Sequence, residues 1–144
     1  MSALPRSLLL DTHAAIWLAE GQLSKDAVSA LVHAGLADGV FISPVTAWEV
    51  GLLARPKAAG RPALQFLPDP QTWFSKLMGK AIIKPAPLTD SAAIASSFLP
   101  GSPHGDPANR LLIAIAREMN LTLMTRDRGI LAYSEAGHVL TYEI

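Results

Sequence analysis

The chain has 144 residues, half of them hydrophobic, with twelve Lys and Arg balanced by twelve Asp and Glu, so its formal net charge is zero. That size and apolar content suit one domain spanning 1–144 with a real core, and the balanced charge excludes the global positive field of a strongly basic nucleic-acid binder. Cysteine is absent, which excludes disulfides and thiolate metal sites and fits a reducing cytoplasm, the expected compartment.

In chain order, SLLLD (7–11) reads as a short buried strand ended by an acid, and the run is too short for a signal peptide or a membrane span. A helix is predicted over 12–19, and a second over 25–36 with Ser24 as its cap. GVFISP (39–44) is the next strand. Ser43 can cap, and Pro44 can open, a helix over 44–53 in which Val45, Trp48 and Leu52 form an apolar face. The stretch 55–70, RPKAAGRPALQFLPDP, is rich in proline, glycine and alanine and reads as an irregular, mobile connection. Helix 70–78, strand AIIKPAP (81–87) and helix 90–98, capped by Thr89-Asp90, follow. The helix over 107–120 is the best marked, because Asp106 can cap it, Pro107 suits its first position, and Leu111, Leu112, Ile115 and Met119 recur at helical spacing. LTLMT (121–125), a helix over 128–134 and HVLTY (138–142) complete an alternation typical of an α/β domain with a mainly parallel sheet.

The acidic residues fall in a pattern. Asp11 and Asp127 stand just past the carboxyl ends of two strands, Asp106 and Asn109 open a helix, and Glu49 lies about two turns into another. Each has an ordinary structural reading: Asp11 and Asp106 as helix caps, Glu49 as a solvated helix residue. In a parallel sheet, however, these edges lie side by side, at the place where ligands usually bind. Oxygen side chains converging there repel one another unless a hard cation neutralises them, and magnesium or manganese prefers such donors. A metal held by carboxylates suits phosphodiester hydrolysis, since it activates water and stabilises the oxygens that gain charge.

LLLDTHAAIWL, ISPVTAWEVGLL, HGDPANRLLIAIA and LTLMTRD resemble, in order, the four blocks of PIN-domain ribonucleases, specifically the VapC toxins of type II toxin–antitoxin pairs. With their spacing, these blocks cover nearly the whole chain. The resemblance implies a PIN-like three-layer α/β/α fold with a mainly parallel central sheet. It also implies Mg2+- or Mn2+-dependent endoribonuclease activity on structured RNA such as tRNA, and inhibition by a small VapB-like antitoxin, with a homodimer expected inside the toxin–antitoxin complex. The family's catalytic metal ligands fall on Asp11, Glu49, Asn109 and Asp127. Asn109 departs from the pattern, since the related block carries a second aspartate there. Three readings are open at this point: a natural variant with weakened activity, a change introduced to tame a toxic nuclease, and transfer of the ligand role to Asp106. Asp106 is better placed as the helix cap than as an inward ligand.

Other residues fit the same frame with less specificity. Arg110, Arg126 and Arg128 flank the acidic set, and Arg55, Lys57 and Arg61 decorate the 55–70 connection; both groups could meet RNA phosphates or be ordinary surface charge. His13 and His104 lie near the acids, where a structural or solvated role is the simpler reading. Trp48, Trp73, Phe66 and Phe74 could line a groove for an apolar segment of the antitoxin, although core packing explains Trp48 equally well. Two other enzyme classes fit poorly. A haloacid-dehalogenase-type phosphatase needs a second aspartate where His13 stands, and a receiver domain needs an aspartate and a lysine that VFISP and AIIKPAP do not offer. A catalytically silent PIN domain that binds RNA or antitoxin is the non-enzyme alternative.

Overall fold

The computed structural model describes residues 3–56, 62–101, 103 and 105–144. Five strands, β1 (Ser7–Leu10), β2 (Gly39–Ile42), β3 (Ile83–Pro85), β4 (Thr122–Thr125) and β5 (Thr141–Glu143), form one sheet in the order β3-β2-β1-β4-β5. Every neighbouring pair is parallel; Leu8 faces Val40 on one side of β1, and Leu10 faces Met124 on the other. The strands are apolar at successive positions because both faces of a parallel sheet are covered. Leu8 and Leu10 pack on one face, and Leu9 on the opposite one, all without solvent exposure.

The helices among the described residues are α1 (Thr12–Glu20), α2 (Lys25–Leu36), α3 (Pro44–Ala54), α4 (Pro70–Met78), α5 (Asp90–Ala95), α6 (Pro107–Met119) and α7 (Arg128–Glu135). Ala14 and Ala15 of α1, Ala27, Ala30 and Leu31 of α2 and Leu77 of α4 close over Leu8, Leu10 and Met124. Leu112, Ile113 and Ile115 of α6, with Ile130 and Tyr133 of α7, close over Leu9 and Leu123. These are the three expected layers, helix on sheet on helix. No helix among the described residues is long and apolar enough to cross a membrane.

Caps fix most of the predicted boundaries. The hydroxyls of Ser24, Ser43 and Thr89 accept backbone N–H bonds from Ala27, Val45 and Ala92. α6 ends at Asn120, whose left-handed backbone (φ 56°) turns the chain directly into β4. The strand expected over 81–87 is confined to Ile83–Pro85, and two further elements are each cut short at one end. The helix expected over 90–98 stops at Ala95, where the Ser96 hydroxyl turns back to donate to the Ala93 carbonyl, and Ile94 and Phe98 are left exposed. The strand expected over 138–142 begins only at Thr141, because Val139 faces the core from a loop and Leu140 faces solvent.

The apolar face expected on α3 is also corrected. Val45, Thr46 and Val50 are the buried residues, whereas Trp48 is half exposed and Leu52 is exposed. Of the 55–70 connection, Lys57 and Arg61 lie outside the described residues. Its later part is anchored: the Leu64 N–H donates to the Leu53 carbonyl at 2.9 Å, and Phe66 is buried edge-on against Trp73, 4.8 Å between ring centroids.

Leu9 is the natural probe of this packing, since it sits in the central strand and reaches the α6 layer. Leu9→Ala is expected to cost about 2–5 kcal/mol in urea unfolding, the range for a leucine truncated in a core that relaxes little.

Candidate active site

Strand order reverses on either side of β1: the chain runs from β1 outward to β2 and β3, then returns to place β4 and β5 on the other flank. The crevice at the carboxyl ends of β1 and β4 is therefore the switch point of the sheet, where open α/β folds bind ligands. A cavity of roughly 370 Å3 opens there, lined by Asp11, Thr12, His13, Trp17, Glu49, Asp106, Asn109, Arg126 and Asp127. Asp11, Glu49, Asn109 and Asp127 thus share one mouth, although they are separated by up to 116 positions in sequence. His104 lies outside the described residues.

Each acid is placed by a helix start or a strand end. Asp11 leaves β1, its N–H bonded to the Met124 carbonyl of β4, and its Oδ1 accepts the Ala14 N–H at 2.8 Å to cap α1. Its other oxygen accepts the Thr125 hydroxyl at 2.5 Å, and the same hydroxyl oxygen accepts the Asp127 N–H at 3.0 Å. One β4 side chain therefore spaces the two aspartates. Asp127 caps α7 through Oδ1, which accepts the Ile130 N–H at 2.9 Å. Asp106 caps α6 by accepting the Asn109 N–H at 3.2 Å, as its sequence position suggested, and faces the same cavity. Glu49 of α3 accepts a short hydrogen bond from the Thr12 hydroxyl, which lies 3.4 Å from the Thr46 hydroxyl.

Asn109 does something an aspartate could not. Its Nδ2 donates to Oδ2 of Asp127 at 3.3 Å. A carboxylate at that place would face Asp127 with like charge, so the amide replaces a repulsion with a hydrogen bond.

Burial raises the pKa of the Asp11 carboxyl, with the charge of Asp127 adding to the rise, while hydrogen bonds from Thr125 and Ala14 and the nearby His13 pull it down. Glu49 is also raised, first by burial and then by the charges of Asp106 and Asp11, against the Thr12 hydroxyl and His13. Two neighbouring acids whose ionised forms are both disfavoured mark a functional cleft in search of positive charge. The donors are hard oxygens, so they fit magnesium or manganese in kind. They do not form a closed cage: among the described residues, no three His, Cys, Asp or Glu side chains are grouped to hold one ion.

The flanking arginines divide. Arg126 lines the cavity with its guanidinium carbon 5.1 Å from the Trp17 ring centre. Arg110 instead donates through Nε to the Ser96 carbonyl at 2.9 Å, tying α6 to the end of α5, which is a structural task. Sequence reasoning missed Thr12, Thr46, Thr125 and Trp17. A threonine ending an apolar strand, followed two residues later by an aspartate, was the available signal for Thr125.

The chain is similar to known proteins over most of its length. The PIN domain family profile matches residues 8–136. Ribonuclease VapC22 of Mycobacterium tuberculosis is 32% identical over 126 residues, covering 86% of this chain and 89% of that protein. Among solved structures, VapBC2 from Rickettsia felis bound to a promoter DNA fragment aligns with TM-score 0.66 at 12% identity, covering 95% of this chain and 98% of that one. VapBC-5 from M. tuberculosis aligns at 0.57 and 18%, covering 97% and 100%.

Because burial raises the Asp11 pKa, the folded chain holds that proton more tightly than the unfolded chain. The resulting stability is present below the unfolded value of about 3.9 and is lost as pH rises through the raised folded value. Asp11→Asn removes the titration and keeps the cap, since asparagine caps as well as aspartate and its amide can donate to the Thr125 oxygen. In EDTA at pH 7 the variant is expected to melt a few degrees above the parent, at ~3–4 °C per kcal/mol for a domain of this size. The gain should shrink as pH falls; a gain constant from pH 4 to 8 would show that Asp11 carries no burial penalty.

Proposed function

The chain belongs to the PIN-domain family and, within it, to the VapC ribonucleases, and from that premise we propose that it is a metal-dependent endoribonuclease toxin of a VapBC-type pair, cleaving structured RNA such as tRNA. The observation that carries this reading is the oxygen-lined cavity at the sheet's switch point, where two acids are held with their ionised forms disfavoured. Asp11, Glu49 and Asp127, with the amide oxygen of Asn109, are the residues that would hold Mg2+ or Mn2+. Magnesium commonly binds through one or two carboxylates and keeps several waters, so a loosely spaced oxygen set suits it better than a closed cage. Held by these residues, the cation would supply a polarised water and charge neutralisation at the scissile phosphate.

The chain's own groups do the positioning. The Thr125 hydroxyl fixes the Asp11 carboxylate, the Thr12 hydroxyl fixes Glu49, and caps hold Asp11 and Asp127 at the mouths of α1 and α7. The N-termini of α1, α6 and α7 all begin on residues of this cavity, and their partial positive charge favours a phosphate there.

Asn109 weakens the site in this reading. It removes one negative charge and engages Asp127, both of which lower cation affinity. Changes in groups that merely support a metal's ligands typically cost about 10–100-fold, so losing a ligand carboxylate costs at least as much. Asn109→Asp is therefore expected to raise Mg2+- or Mn2+-dependent cleavage of total tRNA by ~10-fold or more, with little change in melting temperature. Equal rates, with Asp106→Ala inactivating both proteins, would move the ligand role to Asp106. A catalytically silent protein that binds RNA or antitoxin is the second reading, favoured by the amide of Asn109 engaging Asp127 where an acidic ligand is expected, and failure of both proteins to cleave across a metal titration would establish it.

The partner in this reading is a VapB-like antitoxin, with a homodimer of this chain in the complex. Trp48 and Leu52 of α3 and Leu64 and Leu67 of the following segment are exposed, and a cavity of roughly 430 Å3 between α3 and α4 is lined by Val50 and Phe74. An apolar antitoxin segment would cover this surface, with a lysine or arginine reaching the acidic mouth. Phe66 belongs to the core beneath rather than to the groove. Trp48→Glu should abolish co-elution with the co-expressed small partner in size-exclusion chromatography; an unchanged complex would place the antitoxin elsewhere.

A further inference from the structure

A second cavity, of roughly 390 Å3, adjoins the acidic one and is lined by Trp17, Gln22, Leu23, Ser24, Arg126 and Ile144. Trp17 and Arg126 line both cavities and form the divider between them. The second cavity owes its shape to the end of α1. Gly21 takes a left-handed conformation (φ 70°), its N–H donates to the Leu18 carbonyl, and the Gln22 N–H donates to the Trp17 carbonyl at 2.8 Å. That reversal, which any residue with a Cβ would resist, brings residues 22–24 back beside the Trp17 ring.

The divider combines two chemistries. Arg126 is exposed, its guanidinium lies over the indole rather than against a carboxylate, and no ion pair involves it among the described residues. It therefore keeps its N–H donors for an anion from outside. His13, one turn before Trp17 on α1, continues the line of rings into the acidic cavity, 5.8 Å from the indole. The Gln22 side-chain amide makes no hydrogen bond among the described residues, and it faces the second cavity with one acceptor and two donors.

We infer that the Trp17–Arg126 divider and the cavity behind it form a nucleotide subsite for single-stranded RNA. Arg126 takes the phosphate next to the scissile one, Trp17 stacks the adjoining base, and Gln22 contacts that base's edge. The proposal rests on the ribonuclease reading. RNA is the occupant because the two cavities meet at Trp17 and Arg126, so a strand with one phosphate in the acidic mouth can lay the next against the divider. A chain of zero net charge must take its phosphate contacts from local cations of this kind.

The test uses a fluorescein-labelled single-stranded RNA hexamer with Mg2+, and compares the parent with Trp17→Phe, Trp17→Ala, Arg126→Ala and Gln22→Ala. Anisotropy gives Kd as a function of salt; steady-state cleavage gives KM and kcat. Trp17→Ala is expected to weaken binding by about 10-fold, with Trp17→Phe retaining most of it. Arg126→Ala, a surface change that should leave the melting temperature unaltered, is expected to raise Kd and lower the slope of log K against log salt by about 1. Both should raise KM more than they lower kcat, and Gln22→Ala should relax the nucleotide preference beside the cut. Parent-like Kd and salt slope in Arg126→Ala and Trp17→Phe/Ala would overturn the subsite while leaving the nuclease reading intact. Loss of antitoxin binding without loss of RNA binding would overturn it in favour of a protein contact. Failure of both the parent and Asn109→Asp to bind or cleave the hexamer and total tRNA with Mg2+ would remove the ribonuclease reading itself.

Discussion

The carboxylate of Asp11 is the constraint around which the rest of the molecule is arranged. It sits almost fully buried at the end of the central strand, beside β4, which ends two residues before Asp127. A charge in that position is tolerable only when its oxygens are hydrogen-bonded and some positive charge faces it. The fold supplies the hydrogen bonds through the Ala14 amide and the Thr125 hydroxyl, and supplies part of the charge through the helix that Asp11 itself caps. A cation would supply the rest. Stability and function therefore pull in opposite directions here, as they do wherever a site is kept electrostatically unsatisfied until its ligand arrives.

Asn109 shows how far one atom can shift that balance. Two carboxylates at 109 and 127 would each need a cation to lie close together; an amide and a carboxylate do not. The protein as written resolves part of its own repulsion internally, by the Nδ2 donation to Asp127.

Much of this was legible in the sequence because local chemistry dictated it. Pro44, Pro70 and Pro107 follow capping side chains and open helices at those residues. The apolar runs at 7–10 and 122–125 are strands because nothing else buries both faces so evenly. What was not legible depended on contacts distant in sequence. Trp48 looks like core on a helical wheel, yet the buried face of α3 is set by Val45, Thr46 and Val50 against neighbours that the helix cannot announce. Leu140 reads as strand, but its loop lets Val139 reach the core and leaves it outside. In the site, the acids were found one at a time by their place after strands. Of the threonines that hold them, Thr125 carried only the weak signal of its place two residues before Asp127, and Thr12 carried none until the fold set it beside Glu49. The Trp17–Arg126 stack was hidden for the same reason.

Asp11, Asp106 and Asp127 each begin a helix while facing the cavity. This double duty shapes what evolution or a mutagenesis library can do with the site. Alanine at any of the three removes a helix cap together with a charge, at about 0.5–2 kcal/mol for the cap, so its effect on activity is always read together with its effect on stability. Asparagine and serine keep the anchor, and form the narrow corridor along which a lineage could silence or retune the cavity while the scaffold survives. Glu49 and Asn109 cap nothing and lie outside that corridor: at 109 an exchange with aspartate touches the hydrogen bond to Asp127 but no helix start, so activity there can drift with the scaffold intact.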